Sequence, residues 1–132
     1  MKYLYNAVIS PIEDSTRFVA RVPDLPGCVT TGDDIRDAIN MIVDAASLWL
    51  VAAEDESMPI ADPTSQADMK LENGDIVSLI QLDTTAYRKA TDNHAVRKNV
   101  SLPAWMVRMA DKNGLNCSQI LQEALAAKFS LL

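Results

Sequence analysis

Arg97, Asn99 and Ser101 stand at alternate positions in Arg97-Lys98-Asn99-Val100-Ser101-Leu102-Pro103. In an extended strand this spacing puts all three on one face and Val100 and Leu102 on the other. A guanidinium, a carboxamide and a hydroxyl are groups that read base edges in a DNA groove. Lys98 adds a cation for backbone phosphate. Pro103 ends the strand and suits the first turn of a helix, where its missing N–H has no partner to lose. A strand this short, with one apolar face and no neighbouring strand in its own segment, is not stable alone. It requires a second copy of itself.

The elements that would position these residues follow directly. A helix is predicted from about Pro103 to Asn113, with Leu102, Met106, Met109, Ala110 and Asn113 at helical spacing and Trp105 beside that stripe. Gly114 is a left-handed stop. Asn116 is the N-cap of a second helix, and Gln119 three positions on completes a capping box. Ile120, Leu121, Ala124, Leu125 and Phe129 form the apolar stripe of that helix. This order of strand, helix, turn and helix resembles the ribbon-helix-helix DNA-binding domain over roughly residues 97 to 130. The resemblance implies that two chains pair their strands into a ribbon that enters the major groove. Arg97, Asn99 and Ser101 would then contact bases. Lys98 and the backbone amides around Asn116, Cys117 and Ser118 would hold phosphate. Val100, Leu102, Met106, Met109, Ile120, Leu121 and Leu125 would form the dimer core.

Charge is divided unevenly along the chain. Residues 93–132 carry five basic and two acidic residues, a balance of +3; residues 1–92 carry seven basic and sixteen acidic, a balance of −9. An acidic protein is a poor nucleic-acid binder as a whole, but a locally basic module can still dock on phosphate. A balance of only +3 predicts that DNA binding relies on dimerisation, and on more than one dimer, for avidity. At 132 residues the chain holds one small domain and one small module. No apolar run is long enough for a membrane span, and the N-terminus lacks the apolar core of a signal peptide. Cys28 and Cys117 have no paired spacing and read as reduced thiols of a cytoplasmic protein.

The first 82 residues alternate strand and turn patterns before and after one long amphipathic segment. Residues 2–10 and 17–22 should form a hairpin, with Cys28-Val29-Thr30-Thr31 as a third short strand. Asp34 is the N-cap of a long helix, with Asp33 and Asp37 suited to its positive end. Its stripe runs through Ile35, Ala38, Ile39, Ile42, Ala46, Trp49, Leu50 and Ala53, and it ends near Asp55. Residues 57–74 read as an irregular excursion and Ile76–Leu82 as a strand of the same sheet. Residues 83–96 read as a polar connection. The simplest packing is a three- or four-stranded sheet covered by one main helix, an α+β architecture.

The run Phe18-Val19-Ala20-Arg21-Val22-Pro23-Asp24-Leu25-Pro26-Gly27-Cys28-Val29-Thr30-Thr31-Gly32-Asp33 resembles the signature of the HicB antitoxin family. The resemblance extends over nearly the whole chain, residues 57–74 being its least characteristic part. It implies a toxin-binding domain over 1–85 with a partial ribonuclease H-like fold, a linker over 86–96 and a ribbon-helix-helix DNA-binding domain over 97–132. It also implies a HicA-like, mRNA-cleaving toxin as protein partner and operator double-stranded DNA as second partner. The strand's need for a second copy gives a homodimer, and a self-association surface on the N-terminal domain would admit a tetramer. The −9 half suits a basic, RNA-binding partner and would speed its capture.

Catalysis is not expected. A ribonuclease H-like site needs carboxylates converging on metal ions, and residues 2–10 contain neither Asp nor Glu. Asp24, Asp33, Asp34 and Asp37 are explained by turn and capping roles. His94 is the only histidine and lies in a polar connector, so no His-based triad or metal site is expected, and no cofactor. Trp49 reads as core. Glu54-Asp55-Glu56 reads as a solvated helix end, with toxin contact as the competing role. Two other functions remain open: a dimeric adaptor that binds only protein, and a ribbon-helix-helix repressor without a toxin partner.

Overall fold

The computed structural model describes residues 1–131. The chain divides into two compact units, Met1–Asp92 and Asn93–Leu132. The first contains β1 (Lys2–Pro11), β2 (Phe18–Arg21), β3 (Val29–Gly32), α1 (Ile35–Asp55), a 3-10 turn (Gln66–Asp68), β4 (Ile76–Asp83) and α2 (Thr84–Thr91). The second contains α3 (Ala104–Lys112) and α4 (Cys117–Phe129). The expected α+β class holds as one antiparallel sheet and four helices.

The sheet order is β3-β2-β1-β4, every pair antiparallel. Alternation decides which face is covered. Tyr5, Ala7 and Ile9 of β1 and Ile80 and Leu82 of β4 share one core with Ala20 and Val22. Against them α1 lays Ala38, Ile42, Ala46 and Leu50, all fully buried. Each large apolar side chain covered this way contributes about 1.5–3 kcal/mol. The small alanines let the helix sit close to the sheet.

β1 also buries Asn6 and Val8 on its opposite face. The short β2 pairs only with Val8–Pro11 and leaves the earlier part of β1 without a neighbour on that side. Residues 61–66 fill the gap. The Tyr5 hydroxyl donates to the Ala61 carbonyl at 2.5 Å, and Asn6 Nδ2 donates to the Thr64 carbonyl at 2.9 Å. Gln66 Nε2 donates to Asn6 Oδ1 at 2.9 Å. The irregular excursion is therefore fastened to the central strand by polar groups rather than by a strand of its own.

The start of α1 is closed as its sequence predicts. The Asp37 N–H donates to Asp34 Oδ1 at 2.7 Å, and the Asp33 N–H donates to Asp37 Oδ2 at 2.8 Å. Such caps contribute about 0.5–2 kcal/mol. Gly32 makes this corner possible, because a methyl there would collide with the backbone of Asp37 and Ala38. None of the three nearest atoms belongs to a flexible side chain.

The polar connection expected over 83–96 is not uniformly irregular. Its first part is helical: α2 extends to Thr91, past the boundary at residue 86 where a linker was expected. Asp83 caps it, accepting from the Ala86 N–H at 3.2 Å. Substituting Gly32 by Ala is expected to destabilise the first unit by about 1–3 kcal/mol or more through overpacking. A urea unfolding midpoint indistinguishable from the parent would contradict that.

Candidate functional site

The second unit is built on two helices and little else. Residues 93–103 carry no helix or strand. Arg97, Lys98, Asn99 and Ser101 are all exposed there, so the structure leaves the proposed reading face open and unpaired with any strand of the same chain. Pro103 precedes α3 as its N-cap without a side-chain cap bond. α3 closes with the Leu115 N–H on the Ala110 carbonyl at 2.9 Å and Gly114 at φ +65°, the left-handed stop its sequence predicts.

Asn116 caps α4, accepting from the Gln119 N–H at 3.1 Å. The second half of the expected capping box is absent. The Gln119 side chain donates instead to Glu123 Oε1 at 3.3 Å, one turn further along the same helix face. Cys117 and Ser118 form the exposed first turn of α4. The apolar residues expected in a dimer core remain substantially exposed in the single chain. Val100, Leu102, Met106, Met109, Ile120, Leu121 and Leu125 are between 39% and 56% exposed. Among the described residues of this unit none is buried, and Ala110 is the least exposed.

The first unit carries a different kind of site. Glu54 reaches back from the end of α1 and accepts from the Tyr3 hydroxyl at 2.7 Å, Thr84 Oγ1 at 2.9 Å and Arg88 Nη2 at 3.2 Å. Arg88 Nη2 also meets Asp55 Oδ1 at 2.8 Å. One carboxylate thus ties β1, α1 and α2 together. This corrects the reading of Glu54-Asp55-Glu56 as a solvated helix end: the Glu54 side chain is 18% exposed, whereas Asp55 at 58% does face solvent. α1 has no basic residue in its last turn. Arg88 supplies, from another helix, the cation that the negative end of the helix dipole favours.

Burial pushes the Tyr3 hydroxyl up to about 12, aided by its bond to Glu54 and by that group's charge. Burial alone would raise Glu54. The hydroxyls of Tyr3 and Thr84 and the Arg88 guanidinium outweigh it and hold the carboxyl below the ordinary range. No sequence spacing pointed to this cluster, since each partner of Glu54 lies 30 or more residues from it. The one local signal for α2 is the capping residue Asp83.

Other singled-out residues have structural work. Asp24 accepts from the Thr64 N–H at 2.9 Å and from Thr64 Oγ1 at 2.5 Å, so it fastens the excursion as well as turning its own loop. Leu25 is buried, and Trp49 Nε1 donates to the Pro26 carbonyl at 2.9 Å. The Asp-Leu-Pro-Gly-Cys loop is thereby clamped between the helix and the excursion. Cys28 is a buried free thiol, its pKa raised by that burial, and Cys117 is an exposed one. Among the described residues no group of three or more His, Cys, Asp or Glu could hold a metal ion, and no helix is long and apolar enough to cross a membrane.

A sequence model of the HicB-like antitoxins of bacterial toxin–antitoxin systems matches residues 5–125. The chain belongs to the HicB-like antitoxin family. Its sequence is 29% identical over 112 residues to an uncharacterised 14.9 kDa protein of the rep-hol intergenic region of Haemophilus phage HP1, covering 83% of this chain and 80% of that one. The fold of this antitoxin is shared with solved structures. A chain of a toxin–antitoxin complex from Streptococcus pneumoniae matches with a TM-score of 0.62 at 18% identity, over 97% of this chain and 99% of that one. The Burkholderia pseudomallei antitoxin HicB matches with a TM-score of 0.53 at 19% identity, over 92% and 95%.

The Tyr3–Glu54 pair gives this antitoxin a pH signature. The Tyr3 pKa is raised on folding, so its contribution is complete below the ordinary tyrosine value near 10 and is lost as pH climbs towards about 12. The Glu54 pKa is lowered, so its contribution is present above the ordinary carboxylate range and is lost as pH falls through the folded value. Glu54→Gln should destabilise the first unit by about 1–3 kcal/mol at neutral pH. Tyr3→Phe should flatten the alkaline loss of stability. Chemical unfolding at stepped pH would refute the assignment if both variants kept the parent's profile.

Proposed function

We propose that this antitoxin neutralises a small basic, mRNA-cleaving toxin of the HicA kind through residues 1–85 and represses its own operon through residues 97–132. The observation that carries the DNA half is the uncovered apolar surface of the second unit. At about 40 residues, a unit without a core of its own ordinarily needs a second copy. Pairing residues 97–102 of two chains as an antiparallel ribbon would cover Val100 and Leu102 and present Arg97, Asn99 and Ser101 from each chain to the major groove. Lys98 and the amides of Asn116, Cys117 and Ser118 at the start of α4 would hold flanking phosphate. Met106, Met109, Ile120, Leu121 and Leu125 would complete the core of this ribbon-helix-helix dimer, and two dimers would form a tetramer on DNA.

The toxin half rests on family membership together with the −9 balance of residues 1–92. In this reading the first unit is a partial ribonuclease H-like domain that binds without catalysing. Residues 93–96 link it to the DNA-binding module, α2 occupying the first part of the linker expected over 86–96, and both partners are met in the cytoplasm. An acidic surface speeds capture of a basic protein, so the association rate should fall steeply as salt rises.

Asn99→Ala should cost about 1–3 kcal/mol of discrimination between operator and unrelated duplex if the carboxamide reads a base. The same variant should neutralise toxin as the parent does. A mobility-shift series in which Asn99→Ala keeps the parent's sequence preference would remove Asn99 from the reading face. Loss of neutralisation by that variant would contradict the separation of the two functions.

A further inference from the structure

α3 carries a second exposed feature at the border of the seam assigned to the proposed dimer. At 100° per residue, Trp105, Arg108 and Lys112 fall within about 60° of one another around the helix. By the same count Met106 and Ala110 lie about 100–140° from Trp105, whereas Met109 lies only about 40° from it, so the indole stands at the edge of the apolar seam and the two cations lie beyond it. Trp105 is 57% exposed, and Arg108 and Lys112 are exposed as well. Arg108 and Lys112 are thus turned away from the seam assigned to the second copy, with the indole of Trp105 at its border. It holds two of the five basic residues in a unit whose balance is only +3.

We infer that Trp105, Arg108 and Lys112 form a flanking contact with the DNA backbone beside the groove that the ribbon enters. This rests on the ribbon-helix-helix reading above and extends it to a surface with no assigned role. Three physical points carry it. First, α3 begins directly after the reading strand, with Pro103 as its N-cap. A helix rises about 1.5 Å per residue, so Arg108 lies only about 7–8 Å along the axis from the ribbon's end. Second, duplex DNA presents about one charge per 1.7 Å of axis, so phosphates line either side of an occupied groove at that distance. Third, an indole offers a flat apolar surface to deoxyribose while cations on the same helix face meet the adjoining phosphates. An acidic protein occupant would match the cations, but continuity with the reading strand favours the duplex.

The test uses the full chain and a duplex enriched from a randomised pool by the parent protein. Arg108→Ala/Lys112→Ala should retain the parent's dimeric sedimentation and sequence preference. Its plot of log affinity against log salt should be shallower by about 1 for each phosphate the variant no longer neutralises, or about 4 for a dimer. Arg108→Lys/Lys112→Arg should restore the parent slope. Adding duplex should shift Trp105 emission, a change absent from Trp105→Phe. An unchanged slope in the double alanine variant, with specific binding intact, overturns the inference alone. Loss of dimer in that variant overturns it too, by placing the stripe in an assembly face. A parent chain that enriches no duplex overturns the ribbon-helix-helix reading and this inference with it.

Discussion

Apolar surface must be covered, and the two units of this chain meet that requirement in opposite ways. In the first, α1 lies on one face of the sheet and closes a core from Tyr5, Ile9, Ile42 and Leu50, all almost inaccessible. In the second, two amphipathic helices joined by Gly114 bury no residue fully. In the proposed reading, that apolar seam would be covered by a second copy of the chain. That asymmetry separates a unit that is complete in one copy from one that would acquire a core by association. It ties the DNA-binding proposal to assembly, since the strand that would read bases is the strand that would pair.

Within the first unit the weak places are fastened by polar groups. β2 is too short to flank all of β1, and residues 61–66 make good the deficit through Tyr5, Asn6 and Asp24. The negative end of α1 ends in three acidic residues, and Arg88 compensates from α2. Arg88 is itself partly solvated, so the ion pair contributes modestly through charge. The larger contribution comes from Glu54, whose partly buried carboxylate would lack partners if Tyr3, Thr84 and Arg88 moved away. α2 is only eight residues long, well below the length at which a helix persists alone in water, so it exists because this cluster holds it.

The parts legible in the sequence were those set by local periodicity. Alternation in residues 2–10, 17–22 and 76–82 located β1, β2 and β4, and the Asp34–Asp37 spacing located the start of α1 to the residue. Gly114 and Asn116 did the same for the turn between α3 and α4. α2 was not legible, because a short polar helix has almost no apolar stripe and its anchors on Glu54 and Asp55 are distant in sequence. Gln119 shows a subtler limit. Its side chain had two competing partners within reach, and a capping pattern does not weigh the Glu123 carboxylate one turn ahead. Asp24 likewise read as a turn residue because Thr64, its second partner, belongs to a segment with no pattern of its own.

The charge division constrains how the proposed DNA binding would work. A chain at −6 gains nothing from long-range attraction to a polyanion, and a dimer doubles the deficit. At physiological salt, however, fields between exposed charges fade over about 8 Å. What matters at that range is which side chains lie against the duplex, not the net charge of the molecule. Arg97 and Lys98 on or beside the reading strand, and Arg108 and Lys112 on α3, concentrate four of the five cations of the second unit within sixteen residues. Encounter with DNA would then be slow for so acidic a protein, while encounter with a basic toxin would be fast. One charge distribution would therefore favour capture of toxin first and leave operator affinity to short-range contacts multiplied by pairing of the chains.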